Sequence, residues 1–281
     1  MGHLEIIIDD RSAPAGTVGL KRLTEHGLCL YFEKDGKKWM VDTGGSGCFA
    51  ENASRSGIDI AKVDHLILSH NHYDHTGGLD VFLKNNSRAQ IHISEWIRNS
   101  TCCSVRDGKS INIGLDRTLL ESCQRRIHWH RSVNMRLSEN VALLADIPAR
   151  YPIPRANSYL TWIYQGRETP DPFHHEMALL VSGIKADTVI SSCTHKGILN
   201  TLEAAYAFSL RPVSQFIGGT HLKDGHEEEE DLITMASNIV LMFPEIHIFA
   251  GHCTGDKAIK VLKRVLPEQF NAFFSGARMS L

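Results

Sequence analysis

Ser69-His70-Asn71-His72-Tyr73-Asp74-His75-Thr76-Gly77-Gly78 is the stretch that decides the fold. Four strong metal ligands, His70, His72, Asp74 and His75, lie within six positions of it. Imidazole and carboxylate together suit zinc, iron or manganese, and the missing thiolate set argues against a structural zinc knuckle. In an extended chain His70, His72 and Asp74 point to one side, and His75 breaks the alternation, so we expect the chain to turn there. The stretch predicts two neighbouring cations, one held by His70 and His72 and the other by Asp74 and His75.

The chain around this stretch alternates short apolar runs with helical patterns, which indicates a layered α/β protein. Lys34-Asp35-Gly36 marks a hairpin turn between two strands. The predicted strands cover residues 4–8, 28–32, 38–41, 65–69, 90–93, 177–181, 188–190, 213–217 and 246–249. The predicted helices cover residues 49–55, 78–84, 198–209, 227–242 and 257–265.

Composition places the chain among ordinary globular proteins. It has 281 residues, 42% of them hydrophobic and 22% charged, and a formal net charge of -2. Nothing in this balance suggests a nucleic-acid or membrane partner, and no run of residues is apolar enough for a membrane span. Seven cysteines without a Cys-x-x-Cys pair, and an N-terminus unlike a signal peptide, favour a reducing cytoplasmic location. The oligomeric state is left open.

The domain organisation is predicted to be a single domain over residues 1–281. Residues 97–140 lose the regular alternation, and we interpret them as an insertion over the mouth of the site. Cys102-Cys103 lies in this segment and is interpreted as loop or helix filler.

Several motifs resemble those of one protein family. The run His70-Asn71-His72-Tyr73-Asp74-His75 resembles the His-x-His-x-Asp-His signature of the metallo-β-lactamase superfamily, and Trp39–Gly44 resembles its apolar strand ending in aspartate. Four further stretches resemble its dihydropteroate synthase-like, or ribofuranosylaminobenzene 5′-phosphate synthase-like, branch: residues 25–28, 193–198, 218–222 and 251–255. The resemblance spans roughly residues 4–275. It implies the α/β four-layer αβ/βα sandwich of the superfamily.

The same resemblance implies two further metal ligands. His195 follows a predicted strand and precedes a helix, and His252 lies in an equivalent strand-end loop between Gly251 and Gly255. By resemblance, His195 joins His70 and His72, and His252 joins Asp74 and His75. Considered alone, either histidine is more readily a helix cap or a core residue than a metal ligand.

The chain departs from the superfamily where an aspartate usually bridges the metals. Ser192-Cys193-Thr194-His195 has no carboxylate, so a water or hydroxide alone, Cys193 or Glu176 is left as the bridging group. One or two divalent ions are therefore expected, with zinc favoured over manganese or iron. Asp42 either orients a ligand histidine from behind or bonds its own backbone in a turn.

Candidate substrate contacts are polar groups in glycine-containing turns. His26 and His221 can meet an anion or carry protons near neutral pH. The Gly44-Gly45-Ser46-Gly47 turn can offer backbone N–H groups to a phosphate, and Lys196 and Lys223 can add positive charge. A small phosphate-bearing molecule is the expected substrate.

Three functions remain open from the sequence. The favoured one is a metal-dependent hydrolase in which a water of pKa about 7 on the metal attacks an ester or phosphoester. Asp74 would orient that water, and His221 would act as an acid at the leaving group. The second is a transferase joining a dihydropterin to an aminobenzene compound, as the branch implies, with a pterin pocket walled by Trp96, Trp129, Tyr151 or Tyr159. The third is a non-enzymatic metal-binding protein with a closed, water-free metal sphere.

Overall fold

The structure is a computed structural model that describes residues 2–17 and 22–281. The backbone divides into two compact units. Unit 1 comprises Met1–Arg131, Leu160–His175 and Phe274–Leu281, and unit 2 comprises Ser132–Tyr159 and Glu176–Phe273. None of the helices in the described part of the chain has the length and apolar character that a membrane crossing requires.

Unit 1 contains two sheets. The larger has the strand order β18-β1-β2-β3-β4-β5-β8, and its strands are β1 (His3–Ile8), β2 (Cys29–Lys34), β3 (Lys37–Val41), β4 (His65–Ile67), β5 (Gln90–Ser94), β8 (Ile127–His130) and β18 (Arg278–Ser280). The smaller has the order β12-β11-β6-β7, formed by β6 (Ser100–Arg106), β7 (Lys109–Asn112), β11 (Leu160–Tyr164) and β12 (Arg167–Pro170). The helices are α1 (Cys48–Arg55), α2 (Tyr73–Thr76) and α3 (Leu79–Asn85), with 3-10 segments at Ile60–Lys62, Glu95–Arg98 and Arg117–Arg126.

Unit 2 contains one sheet with the order β17-β16-β15-β14-β13-β10-β9. Its strands are β9 (Met135–Arg136), β10 (Val141–Leu144), β13 (Ala178–Ser182), β14 (Asp187–Ser191), β15 (Val213–Gly218), β16 (His247–Ala250) and β17 (Phe270–Ala272). Its helices are α4 (Ile198–Ser209), α5 (Glu229–Met242) and α6 (Asp256–Val265), with a 3-10 segment at Arg155–Tyr159.

Each unit buries its own apolar core. In unit 1, Phe49 and Phe82 from α1 and α3 pack with Met40, Leu66 and Ile91 from adjacent strands. In unit 2, apolar side chains of all three helices pack with Leu180, Val189, Phe216 and Ile248 of the sheet. All five residues of β14 are buried, as expected for a central strand that is covered on both sides.

The predicted elements are confirmed to within a few residues, and the predicted helix 198–209 coincides with α4. The hairpin turn is confirmed as well, because Asp35 and Gly36 have φ angles of 54° and 67°, as a type I′ turn requires. The interpretation of Cys102-Cys103 as loop or helix filler is wrong, because both residues lie in β6. Residues 97–140 hold β6 and β7 of the small sheet, β8 of the larger one and β9 of unit 2. The insertion and the single domain stay predictions.

Parallel strands end at the positions that sequence reasoning singled out. β3, β4, β5 and β8 run parallel in unit 1, and β14, β15, β16 and β17 run parallel in unit 2. Asp42 directly follows β3, and the histidine stretch follows β4. In α/β sheets the carboxyl ends of parallel strands are where sites form, so each unit presents candidate residues at the expected edge.

Candidate metal centre

The histidine stretch of unit 1 leaves the extended conformation earlier than its sequence predicts. His72 is still extended, with φ -123° and ψ 146°, but α2 begins at Tyr73, so Asp74 and His75 lie on a helical turn. The expected turn at His75 is therefore displaced by two residues. The Tyr73 N–H donates to the Ile113 carbonyl, 2.7 Å away, and the Thr76 hydroxyl donates to the His72 carbonyl. These bonds start the helix, and all four candidate ligands are buried.

The four side chains form two pairs of ligand atoms. Nε2 of His70 lies 3.1 Å from Nδ1 of His72, and Nε2 of His75 lies 3.6 Å from Oδ2 of Asp74. Two nitrogen ligands of one tetrahedral zinc are about 3.3 Å apart, given Zn–N bonds of 2.0–2.1 Å. The spacing within unit 1 thus fits the two pairs that the sequence predicts.

Asp42 anchors two of these histidines. Its Oδ2 lies 2.8 Å from Nδ1 of His75, and it also accepts the Ser69 hydroxyl at 2.6 Å. The Ser69 oxygen in turn lies 2.8 Å from Nδ1 of His70, and the Ser69 N–H donates to Oδ1 of Asp42. Because each Nδ1 is held by these partners, Nε2 of both rings is directed to the ligand pairs, as in carboxylate–histidine–metal arrangements. Ser69 was not predicted from the sequence to be part of the site.

The imidazoles of this loop are suited to bind a cation as neutral ligands. Burial holds the pKa of His70 well below its usual value, and neighbouring His75 and His72 lower it further. Burial also lowers the pKa of His72 to about 3. A neutral ring keeps the lone pair that a metal needs, so no proton has to be displaced near neutral pH. On this chemistry the residues present fit a divalent metal.

His26 is a more exposed neighbour of the same loop. Its Nε2 lies 3.3 Å from Oδ2 of Asp74 and its Nδ1 lies 3.1 Å from Oδ2 of Asp10. The His26 side chain is 46% exposed, whereas that of Asp74 is 11% exposed. His26 therefore connects a buried candidate ligand to solvent through a group that can both accept and donate a proton.

The glycine turn at residues 44–47 holds a carboxylate. Ser46 donates its hydroxyl and its backbone N–H to Glu25, at 2.5 and 3.2 Å. A Cβ on Gly44 would lie 2.6 Å from Oε1 of Glu25, and one on Gly45 would lie 2.7 Å from the His26 carbonyl. These glycines allow close packing of the His26 loop, and the negative charge of Glu25 disfavours a phosphate at the same N–H groups. The phosphate contacts predicted for Gly44 and Gly45 stay predictions.

A buried polar network holds the peptide between His70 and His72. The Asn71 N–H donates to Nδ1 of His175, 3.3 Å away. Nε2 of His175 lies 3.0 Å from Oδ2 of Asp171 and 3.2 Å from Sγ of Cys102. The Asn71 side chain accepts the Leu115 N–H. The network was not predicted from the sequence, because Asn71, Cys102 and His175 are distant along the chain.

In unit 2, His195 is held as firmly as the histidines of unit 1. Its Nδ1 lies 3.0 Å from Oδ1 of Asn157, whose amide donates to the His195 carbonyl at 2.8 Å. Glu176 accepts the backbone N–H groups of His195 and Lys196, both at 2.7 Å. Glu176 thus positions the turn through its two oxygens. The sequence argument missed Asn157 and considered Glu176 only as a bridging ligand.

The other predicted residues of unit 2 lie in the loops after β14, β15 and β16. His252 is fully buried, and the buried His221 ring lies 4.2 Å from the His195 ring between centroids. The Lys223 ammonium lies 5.7 Å from the centre of the Tyr159 ring. Burial opposes the charge of Lys223, but Tyr159 raises its pKa above the usual value overall.

The predicted aromatic walls are dispersed over different surroundings. Within unit 1, Trp96 packs with Trp162, Tyr164 and His174 at centroid distances of 4.9–5.9 Å. Trp129 instead carries the Arg98 guanidinium on its face. In unit 2, Tyr159 lies beside His221 and His226, while Tyr151 packs on the core. Among the four predicted walls, Trp96 is the one with a tryptophan and a tyrosine ring packed beside it in the described part of the chain.

A cavity of about 270 Å³ lies in unit 2 between residues 152–155, the start of α4 and α5. Ile198, Leu199, Leu222 and Met235 give it a mainly apolar lining. Arg155 at its rim already pairs with Asp231, and its N–H donates to Glu227. The cavity suits an uncharged organic group better than a phosphate.

The sequence and the fold are similar to those of known proteins. Residues 24–111 match the family model of the metallo-beta-lactamase superfamily. Over these residues the chain is similar to a metallo-β-lactamase superfamily domain. Members of this superfamily typically bind divalent metals, which agrees with the candidate ligands. The superfamily prediction from the His-x-His-x-Asp-His stretch is confirmed.

One relative and two solved structures extend the comparison over nearly the whole chain. The chain is 27% identical to 7,8-dihydropterin-6-methyl-4-(beta-D-ribofuranosyl)-aminobenzene-5'-phosphate synthase of Methanocaldococcus jannaschii, over 90% of this chain and 89% of the relative. This relative bears the name of the branch that the motifs indicate. A solved metal-dependent hydrolase of the beta-lactamase superfamily superposes with a TM-score of 0.80 at 22% identity, covering 100% of this chain and 99% of that one. A diphosphatase from the PhnP family gives a TM-score of 0.55 at 15% identity, over 100% and 98%. The α/β metallo-β-lactamase fold class is thereby confirmed.

Proposed function

We propose that this protein is a metal-dependent hydrolase of esters or phosphoesters. One or two divalent ions, with zinc favoured, would be held in unit 1 by His70, His72, Asp74 and His75. The observation that carries the proposal is the anchoring of His70 and His75 through Asp42, which directs two paired sets of ligand atoms. When bound, such ions supply Lewis acidity that activates water and polarises the substrate oxygen. His195 and His252 stay predicted ligands from the sequence resemblance.

The residues of the chain support proton transfer beside these ligands. Asp74 offers one carboxylate oxygen within reach of both His75 and His26. His26, half exposed and bonded to Asp10, can take a proton from the reacting side and release it to solvent. General acid–base catalysis needs such a group within hydrogen-bonding reach, so His26 is a better proton carrier than the buried His221.

The substrate is proposed to be a small anion that carries an organic group. Phosphate is favoured by the cationic centre, with Lys196 and Lys223 as the predicted additional contacts. Lys223 stays protonated, since Tyr159 raises its pKa. Within unit 2, the mainly apolar cavity is a candidate site for an uncharged organic group.

The test is turnover of simple phosphomonoesters, phosphodiesters and carboxylic esters by metal-stripped protein with added zinc or manganese. We expect hydrolysis by the wild type. The double variant His70→Ala with His72→Ala should lose this activity, and elemental analysis should show that it has also lost at least one bound metal ion. The exposed His247→Ala serves as the matched control, because it removes an imidazole without touching the loop. If the double variant keeps both its metal and its activity, the proposed centre is wrong.

A second candidate is a metal-dependent synthase of the pterin class. Two observations favour it: the 27% identical synthase relative, and the group of aromatic rings around Trp96 in unit 1. A pterin stacked on these rings would quench their tryptophan fluorescence. Saturable quenching by a dihydropterin, lost in Trp96→Leu, combined with no ester hydrolysis, would place the synthase first. Absence of quenching in the wild type would remove it.

A further inference from the structure

Three loops at the carboxyl ends of β14, β15 and β16 are bonded to one another within unit 2. The Thr220 and Thr254 hydroxyls lie 3.0 Å apart, and the Thr194 hydroxyl donates to the Gly219 carbonyl at 2.5 Å. The Gly219 N–H donates to the Ser192 carbonyl, 2.9 Å away. These bonds fix the positions of the side chains that the loops carry.

Two thiols meet where these loops are joined. Sγ of Cys193 lies 3.4 Å from Sγ of Cys253, and the two residues are 1% and 8% exposed. The backbone N–H of His221 donates to Sγ of Cys253, 3.2 Å away. One ring nitrogen of His221 and the two sulfur atoms all lie within 4.8 Å of one another. Two sulfurs and an imidazole nitrogen are ligands that zinc accepts.

The backbone around the two thiols has an energetically unfavourable conformation at three residues. Thr194, His221 and Cys253 have φ angles of 61°, 50° and 54°, in the left-handed region that residues other than glycine rarely adopt. A Cβ on Gly219 would lie 2.8 Å from Sγ of Cys253, so only glycine admits the sulfur at this position. Strain of this kind persists where the surrounding structure enforces it, commonly at functional sites. Simple packing of two cysteines would not require it.

We propose that Cys193, Cys253 and His221 form a ligand set for a soft divalent cation such as zinc. Two thiolates on one tetrahedral zinc lie about 3.8 Å apart, given Zn–S bonds of about 2.3 Å, so the observed 3.4 Å needs an adjustment of only a few tenths of an ångström. Binding replaces the protons of both thiols by the metal and releases them to water, while His221 binds as the neutral ring. This goes beyond the proposed function, because it adds a further, sulfur-containing ligand set within unit 2. It also assigns His221 to the metal and not to the leaving group.

The proposed ligand set of Cys193, Cys253 and His221 determines which metal ions bind preferentially. Thiolate ligands select zinc, cobalt or cadmium over manganese and magnesium, which prefer oxygen ligands. A centre built from histidine and carboxylate alone would accept manganese more readily. Metal preference therefore separates a centre with sulfur from one without it.

The first experiment needs no variant. Whole protein is stripped of metal under reducing conditions, loaded with zinc, and measured by X-ray absorption at the zinc edge. We expect a Zn–S shell at about 2.3 Å beside the Zn–N shell at 2.0–2.1 Å. Zinc that is bound with nitrogen and oxygen neighbours only would overturn the thiolate proposal and leave the hydrolase proposal intact. Absence of any bound zinc would count against both.

The second experiment assigns the sulfur. Cobalt-loaded wild type should show thiolate-to-cobalt charge-transfer absorption in the near ultraviolet, and the double variant Cys193→Ser with Cys253→Ser should lack it. The double variant should also bind zinc at least about tenfold more weakly. Loss of a hydrogen-bond partner behind a ligand already lowers metal affinity by that factor, and here the ligands themselves are removed. Cys29→Ser, a buried thiol of β2, and Cys102→Ser, beside His175, are the matched controls and should keep the absorption. Charge-transfer absorption that survives in the double variant but disappears in Cys102→Ser would contradict the assignment.

Discussion

Oδ2 of Asp42 lies 2.8 Å from Nδ1 of His75, and both side chains are completely buried. The same carboxylate accepts both hydrogen-bond donors of Ser69, so it serves three donors at once. An asparagine has a single acceptor oxygen and cannot replace it.

We therefore expect Asp42→Asn to weaken zinc binding by about 10–100-fold, the range found when a partner behind a ligand histidine is lost. A competition titration with a coloured chelator measures this. Asp187→Asn is the matched control: Asp187 is also completely buried, but it pairs with Arg211 in unit 2. Equal zinc affinities in the two variants would show that Asp42 acts on stability alone.

His175 gives a prediction about positioning, because its Nδ1 accepts the N–H of the residue between His70 and His72. An asparagine can place its oxygen near the former Nδ1, whereas a glutamine extends to the position of Nε2. His175→Asn should therefore keep more of the zinc affinity than His175→Gln, which should lose about tenfold. The visible spectrum of the cobalt-loaded protein should change in the same order. If the glutamine variant binds zinc as well as the wild type, the network does not position the loop.

His26 gives a prediction about catalysis, on the proposed hydrolase function. His26→Gln should lower kcat at least about a hundredfold, the usual contribution of a positioned proton carrier, and leave the metal content unchanged. The exposed His247→Gln is the control. A variant that keeps the wild-type kcat would exclude His26 from proton transfer.

A row of histidines in unit 1 gives a prediction about acid stability. Nε2 of His92 lies 3.1 Å from Nδ1 of His65, and its Nδ1 lies 2.9 Å from Nε2 of His130. Burial, together with His130 and His65, lowers the pKa of His92 to about 2, and burial also lowers the pKa values of His65 and His130. The unfolded chain then binds protons below pH 6.5 that the folded protein does not bind, so stability falls as the pH falls.

From pH 7 to pH 5 the protonation of unfolded His92 alone should cost about 2 kcal/mol of stability. Urea unfolding at the two pH values measures it. His92→Gln should show a smaller pH effect than wild type, while His247→Gln should show the same effect. A wild-type stability that is equal at both pH values would refute the prediction.

The histidine loop and most central elements followed from the sequence because their signals are local. Four ligands in one stretch, the Asp35-Gly36 turn and the apolar runs each lie within a few residues. The anchors did not follow, because their partners are distant along the chain: Asn157 precedes His195 by 38 residues, and His175 follows Asn71 by 104. Ser69 has no sequence feature that marks it as part of a site. It connects Asp42 to His70 only because the fold places it beside Asp42.

The small sheet of unit 1 was missed for a different reason. The paired residues of β6 and β11 are 56 to 64 positions apart along the chain, from Leu160 with Ser104 to Tyr164 with Ser100. A hairpin signal was nevertheless present, because Gln165 and Gly166 both have positive φ between β11 and β12. The apolar and polar residues of β11 alternate only weakly, so the turn alone did not identify the strands.

The pairing of β1 with β18 sets the order in which the molecule can be completed during synthesis. His3 pairs with Ser280 and Leu4 with Met279, so the opening strand of unit 1 stays without one neighbour until residue 280 leaves the ribosome. All of unit 2 is encoded before residue 274 and can fold first. Synthesis of unit 1 begins before that of unit 2 and ends after it. Until then β1 has an unpaired edge, which chaperones can bind and which can pair with other chains in aggregation.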